Sequence, residues 1–367
     1  MVDWSQAPQE ILGSIAERLN SIEDYLRFGG VCRSWRFVTL DHRRFRFSPK
    51  TLPWLMFPLH KKDEDGKDID NPNFFSLSDV KFYKRSLPEA RGCCFSGSKY
   101  GWLILFGDGR IELYNPLTRN RIGLPLPYTN YRVQKGFLSM PSSITSPKDQ
   151  FLVVVNFFKE LAFIRPGDTT WTTIEIPVTN NSDIIQLNDV FYIIDSDGII
   201  RTFDIRSPKP AATEFMLPPE DIQSDQLSFY LVGLRGELHM VVKYHLSEMF
   251  TEGHHFMPGS RPFAEHQTYY FRVFKLDLST KKWKEVFTLG DYTIFVGRNT
   301  SIYLLATDFV DCSRSSIYFA DSWMGDDLST GDIGIFNLET EGMEALFTGK
   351  DVVGLYSTPV WFTPSLC

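Results

Sequence analysis

Six segments of this chain share one grammar: a strand-like run, a short polar turn, and a second run that closes on an aromatic or Leu near Pro or Gly. They are "FFSLSDVKFYKRSLPEA" (74–90), "RIELYNPLTRNRIGLPLP" (110–127), "LAFIRPGDTTWTTIEIP" (161–177), "GIIRTFDIRSPKPAATEFMLP" (198–218), "FRVFKLDLSTKKWKEVFTLG" (271–290) and "GIFNLETEGMEALFTG" (334–349). A lone hairpin is marginal in water. Six in series point to small sheets repeated radially, a β-propeller. No helix-like segment separates the units, which argues against a parallel βαβ sheet. Six units predict about six blades; their uneven spacing leaves five or seven open. "LPWLMFP" (52–58) and "VWFTP" (360–364) are short apolar strands near the two ends. They either pair to close the ring or stand as edge strands of a sandwich.

Further hairpins sit between these units. Gly107-Asp108-Gly109 separates Trp102–Phe106 from the alternating Ile111, Leu113 and Tyr114, and Asp197-Gly198 and Arg235-Gly236 turn two more. Gly supplies the positive φ that tight hairpins require. Composition agrees: 43% of the 367 residues are hydrophobic and 15% aromatic, with 25 Gly and 21 Pro, a balance suited to many short strands.

Residues 1–47 read differently. Pro8 suits a helix start, and Ile11, Leu12, Ile15 and Leu19 then form one apolar stripe. Ser21 and Asp24 resemble a capping box opening a second helix, with Ile22, Leu26 and Phe28 on its apolar side and Gly29-Gly30 ending or weakening it. A third piece from about Val31 presents Val31, Cys32, Trp35 and Val38. Three short helices bury little surface by themselves. They read either as a cap on the main domain or as a docking module completed by a partner.

Charge narrows the function classes. The net charge is −7; residues 1–47 carry +1 and the remainder −8, an acidic body that argues against nucleic-acid binding. No apolar run is long enough to span a membrane, and the N-terminus lacks a basic, apolar leader. Cys32, Cys93, Cys94, Cys312 and Cys367 are odd in number and without metal or disulfide spacing, so a reducing compartment, cytosol or nucleus, is expected. Asn180 and Asn299 sit in Asn-x-Ser patterns read as chance matches.

The chemical motifs are weak. His245, Glu248, His254, His255 and His266 cluster in the longest interruption between repeats, about 244–267, without zincin spacing. A surface insertion that touches a partner is the better reading. Asp195–Gly198 is too short for a calcium loop and reads as a hairpin turn. "KKDEDGKDIDN" (61–71) reads as a solvated connection, Cys93 and Cys94 as small fillers, and "HRRFRF" (42–47) as a linker. No phosphate loop or Gly-x-Ser-x-Gly elbow is present. No cofactor or metal is expected.

Residues 7–38 resemble an F-box through Pro8, Glu10, Ile11, Leu12, Ile15, Leu19, Asp24, Leu26, Arg27, Phe28, Val31, Cys32, Trp35 and Arg36, with Ala7 where that family usually has Leu. "GSKYGWLILFGDGRIELYNPLTRNRIGLP", its Asn115–Thr118 turn, and the closing "PVWFTPSL" are similar to the KIB-type β-propeller of plant F-box proteins. The resemblance covers nearly the whole chain. It implies an F-box over 1–47 and a propeller over 48–367. It also implies a non-catalytic receptor of a Skp–cullin–F-box (SCF) ubiquitin ligase: the F-box docks a Skp-type adaptor and, through it, cullin and a RING protein, while the propeller holds a protein target. The implied adaptor contacts are Pro8, Ile11, Leu12, Ile15, Leu19, Leu26, Val31, Cys32 and Trp35, some of which hold the helices together instead. Two rival readings stand beside it: the propeller as an enzyme or small-ligand site, which a convergent Asp/Glu/His set would favour, and a scaffold that delivers nothing for degradation.

Overall fold

The computed structural model describes residues 3–19, 22–40, 51–57, 61–62, 68–69, 73–78, 80–84, 87–90, 93–97, 101–107, 109–126, 133–139, 152–157, 160–177, 181–207, 209–222, 227–245, 268–299, 301–321, 332–346 and 359–365. The helical module holds α1 (Gln9–Ala16), α2 (Ile22–Gly30) and α3 (Arg33–Leu40). α2 runs through Gly29 and ends at Gly30, the glycine pair expected to end or weaken it. Closeness explains Gly29: an added Cβ would lie 2.6 Å from the Thr39 hydroxyl of α3. The expected 47/48 boundary and the 42–47 linker fall outside the described residues, as does Ser21.

Apart from one two-stranded ribbon, the remaining strands form six sheets in a closed ring: blade 1 (Val360–Phe362, Trp54–Phe57, Asn73–Ser76 and Lys81–Lys84), blade 2 (Cys94–Gly97 to Arg121–Leu124), blade 3 (Val133–Ser139 to Thr172–Ile174), blade 4 (Asn181–Leu187 to Thr213–Met216), blade 5 (Leu227–Leu234 to Lys282–Val286) and blade 6 (Tyr292–Gly297 to Gly342–Ala345). All six hairpins singled out in the sequence are the outer two strands of a blade. Three of their polar turns share one device. Asn115 Oδ1 accepts from the backbone N–H of Leu117 (2.9 Å) and Thr118 (3.1 Å), Asp277 Oδ1 from Ser279 (2.8 Å) and Thr280 (3.3 Å), and Asn337 Oδ1 from Glu339 and Thr340 (both 3.0 Å). Four residues beyond each of these lies a positive-φ residue: Arg119 (61°), Lys281 (54°) and Glu341 (55°). A short side-chain acceptor closes the turn locally, and the left-handed residue redirects the chain into the outermost strand.

The ends close the ring. Trp54–Phe57 pairs antiparallel with Val360–Phe362, Leu55 opposite Trp361, so blade 1 takes its innermost strand from the C-terminal end. Trp361 is fully buried; its indole N–H donates to the Val296 carbonyl (2.9 Å) and its backbone N–H to Asn299 Oδ1 (3.1 Å). Asn299 is therefore a closed, buried acceptor, and its Asn-x-Ser pattern presents no surface for glycosylation. Asn115 Nδ2 donates to the Ser365 carbonyl (3.0 Å), which ties the "NPLT" turn to the same closure.

Alternation of apolar side chains along each strand fills the gaps between blades rather than one central core. Leu231, Met240 and Phe274 of blade 5 pack on Ile194 and Ile200 of blade 4, and Val241, Phe271 and Val273 pack on Ile317, Phe319 and Phe336 of blade 6. Blade 6 departs from the pattern. It has five strands, with Tyr292–Gly297 pairing antiparallel to Ile302–Leu305 and parallel to Ser316–Asp321. The crossover that a parallel pair needs is supplied by residues 298–315, which include the Ile302–Leu305 strand.

Near the axis the blades approach so closely that side chains are excluded. An added Cβ at Gly97 would sit 2.2 Å from the Trp361 carbonyl oxygen. Gly97→Ala is expected to cost about 2–3 kcal/mol, because backbone rather than a flexible side chain must give way. A urea titration reads this as a lower midpoint at unchanged slope; an unchanged midpoint would show that the closing strand can move aside.

Candidate functional site

The helical module divides its apolar residues between an inner and an outer set. Leu12, Ala16, Tyr25, Phe28 and Val38 form its buried core, with Ala7, Ile15, Leu19 and Trp35 half-buried against them. Phe28 and Trp35 stack at 4.2 Å between ring centroids, and the Tyr25 hydroxyl donates to the Thr39 carbonyl (3.3 Å). Of the nine sequence candidates, Pro8, Ile11 (49% exposed) and Val31 (61%) face outward, Cys32, Ile15, Leu19 and Trp35 are intermediate, and Leu12 is internal. The side chain of Leu26 is outside what the structure describes.

Periodicity missed two members of the outer set. Phe37 is exposed on α3, opposite the apolar stripe that the sequence suggested. Trp4 is exposed on a short 3-10 turn (Trp4–Gln6) that Asp3 caps through the Ser5 N–H (3.0 Å). That turn is stitched to α3: the Trp35 indole N–H donates to the Trp4 carbonyl (3.0 Å) and the Ser34 hydroxyl to the Ser5 carbonyl (2.7 Å). The Cys32 thiol beside it lies below its ordinary pKa, held by the Ser34 hydroxyl and the Trp35 backbone N–H.

Inside the propeller, polar groups do converge near the axis, but they are spent on one another. Lys135 Nζ lies 2.7 Å from Asp183 Oδ1 and donates to the Gly297 carbonyl (3.4 Å). Asp183 Oδ2 also accepts from the Leu231 N–H (3.0 Å) and the Ser301 hydroxyl (2.9 Å). One buried ion pair thus joins blades 3, 4, 5 and 6. It ties the blades together across the ring.

A second, buried ionic cluster joins blades 5 and 6. Lys243, fully buried, lies 2.7 Å from Asp332 and 3.6 Å from Asp321. The Tyr230 hydroxyl donates to Asp321 and the Thr268 hydroxyl to Asp332, the latter at 2.5 Å. His245 sits beside them, its Nε2 2.8 Å from the Ser228 hydroxyl. Burial, aided by Lys243, pushes the His245 pKa down to about 4 against the opposing pull of Asp332 and Asp321. Burial also lowers His239.

A pH dependence follows. Between the ordinary histidine value of about 6.5 and about 4, the unfolded chain binds a proton at this position that the folded chain refuses, so stability declines as pH falls through that window. Urea midpoints should drop between pH 7 and pH 5, and His245→Gln should flatten that slope, leaving the His239 contribution. A slope unchanged by the substitution would place the proton elsewhere.

Other candidates resolve unevenly. Glu248, His254, His255 and His266 lie outside the described residues, as does the surface insertion expected over 244–267 apart from Tyr244 and His245. Asp195–Gly198 is a hairpin turn: Asp195 Oδ1 accepts from the N–H of Asp197 and Ile199 (both 2.9 Å), and Oδ2 pairs with buried Arg201. Cys93 is a buried filler, whereas Cys94 is exposed. Residues Lys61–Lys62 and Asp68–Ile69 form a two-stranded ribbon within the charged connection.

Several Arabidopsis thaliana proteins are similar along most of the chain. F-box protein SKIP23 is 24% identical over 412 aligned positions, covering 99% of this chain and 96% of that protein. The F-box/kelch-repeat protein At1g57790 is 28% identical, covering 81% and 77% respectively, and the probable F-box protein At1g65740 is 27% identical, covering 88% and 90%. The profile of the KIB1-4 beta-propeller matches residues 74–337, from the outer strands of blade 1 to the fourth of the five strands of blade 6. With its three-helix module placed ahead of six blades, the chain belongs to the KIB1-4 β-propeller family and has the make-up of a plant F-box protein.

Proposed function

We propose that this protein is the substrate-recognition subunit of an SCF-type ubiquitin ligase. Its helical module docks a Skp-type adaptor and, through it, cullin and a RING protein; its propeller holds a target protein. The observation that carries the reading is the outward set on the module: Ile11, Val31, Phe37 and Trp4 remain exposed on a unit whose own core is five buried residues. So small a unit that leaves four large apolar side chains in water is built to be covered. The relatives named as F-box proteins support the same reading. Catalysis would be by proximity. Tethering target and charged enzyme raises effective concentration, and the receptor itself supplies no bond chemistry.

The test is capture of a purified Skp-type adaptor by Ile11→Asp and Val31→Asp variants. Each places a carboxylate where an apolar contact is expected, and binding should weaken roughly a hundredfold, about 3 kcal/mol. Both positions face water in the free chain, so helical circular dichroism should stay at the wild-type level. Undiminished capture by both variants would sink the docking surface; failure of the wild-type chain to bind any Skp-type adaptor would sink the ligase reading.

A further inference from the structure

The outer face of α3 combines charge with an aromatic ring. Trp35 and Val38 are the side of this helix that meets the module core. With about 100° between successive residues, Arg33, Arg36 and Phe37 then share the other side, at i, i+3 and i+4. All three are exposed, Phe37 by 53%. The helix reads RSWRFVTL and contains no acid.

Charge on this face is not used inside the chain. Arg27 of α2 pairs with Asp24 at 3.0 Å. In the propeller, Arg121 reaches Glu112 (2.7 Å), Arg272 reaches Asp221 (2.6 Å) and Arg314 reaches Asp291 (3.1 Å). Among the described residues, the guanidinium groups of Arg33 and Arg36 have neither an ion pair nor a hydrogen bond. Arg33 also opens α3, where a cation opposes the helix macrodipole and a carboxylate is the favoured residue. Local stability therefore accounts for neither arginine, nor for an aromatic ring left in water beside them. Residues that break a local preference without compensation inside the fold point to what they meet outside it.

The chemistry of the face defines its complement. Each guanidinium presents a planar fork that fits a carboxylate, and the Phe37 ring offers apolar area next to both. Two arginines suit a pair of carboxylates; a nucleic-acid backbone takes a longer basic track than α3 carries.

We propose that Arg33, Arg36 and Phe37 form an electrostatic half of the docking surface and receive an acidic segment of the Skp-type adaptor, one whose carboxylates bracket an apolar side chain. The inference rests on the receptor reading above and names the chemistry of the adaptor segment that α3 meets. Ile11 and Val31 supply apolar contact, while the arginines steer the encounter, so their loss is read in association rate and salt dependence.

The measurement is surface plasmon resonance of a purified Skp-type adaptor over the immobilised full-length chain, at about 50 and about 200 mM salt. Arg33→Glu with Arg36→Glu should weaken binding roughly thirtyfold at the lower salt, chiefly through slower association, and flatten the salt dependence. Arg33→Lys with Arg36→Lys keeps the charge and should hold the association rate within about twofold of wild type. Phe37→Ser should weaken binding about tenfold through lost apolar area and leave the salt dependence in place. The three positions face water, so helical circular dichroism should stay at the wild-type level. The lysine pair and Phe37→Ser also read the face independently of the charge reversal.

An affinity that the reversal moves by less than about twofold, or a salt dependence that it leaves unchanged, would overturn the proposal. So would a labelled single-stranded RNA that binds the wild-type chain and is lost on reversal, because the face would then serve phosphate. A wild-type chain that captures no adaptor would remove the receptor reading and this inference with it. Capture that survives the reversal but not Ile11→Asp would remove this inference alone.

Discussion

Lys243→Ala is expected to lower the stability of the propeller by about 3–5 kcal/mol. The ammonium is fully buried and lies between Asp332 (2.7 Å) and Asp321 (3.6 Å). Removing it leaves two carboxylates without their buried cation, beside the Tyr230 and Thr268 hydroxyls that donate to them. The loss is dominated by stranding those charges rather than by the worth of the pair itself. Adding Asp332→Asn to Lys243→Ala should therefore recover part of the loss, a coupling that a double-mutant cycle reads directly. The measurement is the urea midpoint of the propeller transition for all four chains. A single substitution within about 1 kcal/mol of wild type would mean that water or a neighbour already satisfies both carboxylates. Adaptor capture should be unaffected, since the substitution lies in blade 5.

Leu12→Asp is expected to unfold the helical module outright while leaving the propeller transition in place. Leu12 has no exposed surface and packs among Ala16, Tyr25, Phe28 and Val38. Burying a carboxylate there costs several kcal/mol, and a core of five buried residues has no comparable reserve. The consequence separates two ways of losing the adaptor. Ile11→Asp should weaken capture roughly a hundredfold with the helices intact; Leu12→Asp should abolish it by melting them. Far-ultraviolet circular dichroism and protease cleavage within the first 40 residues distinguish the two. If Leu12→Asp kept its helical signal, the module would be held by contacts other than this core.

Neighbouring positions on one apolar stripe thus serve opposite ends, and periodicity does not sort them. Ile11 and Leu12 are adjacent and equally apolar, yet one is half exposed and the other sealed. What separates them is the direction of approach of α2 and α3, set by the Gly29–Thr39 contact and the Phe28–Trp35 stack. Phe37 and Trp4 escaped notice for a related reason. A single exposed aromatic has no periodic signal, and Trp4 lies on a turn whose fold depends on bonds to Ser34 and Trp35. The outer hairpins were legible because each is a local object: Asn115, Asp277 and Asn337 close their turns with bonds that span two or three residues.

From the sequence alone, the alternation of apolar residues and the turn chemistry determined the strands, their outer hairpins, the radial repeat and the pairing of the two end strands as one of two options. Tertiary structure decided between those options, added the fifth strand of blade 6, and chose the partners of Lys135, Asp183 and Lys243. The physical reason is range. Backbone preference and side-chain period act over a few residues, whereas a buried charge is held by whichever distant groups the closed ring brings within about 3 Å, and nothing near Lys243 in the chain names Asp321 or Asp332.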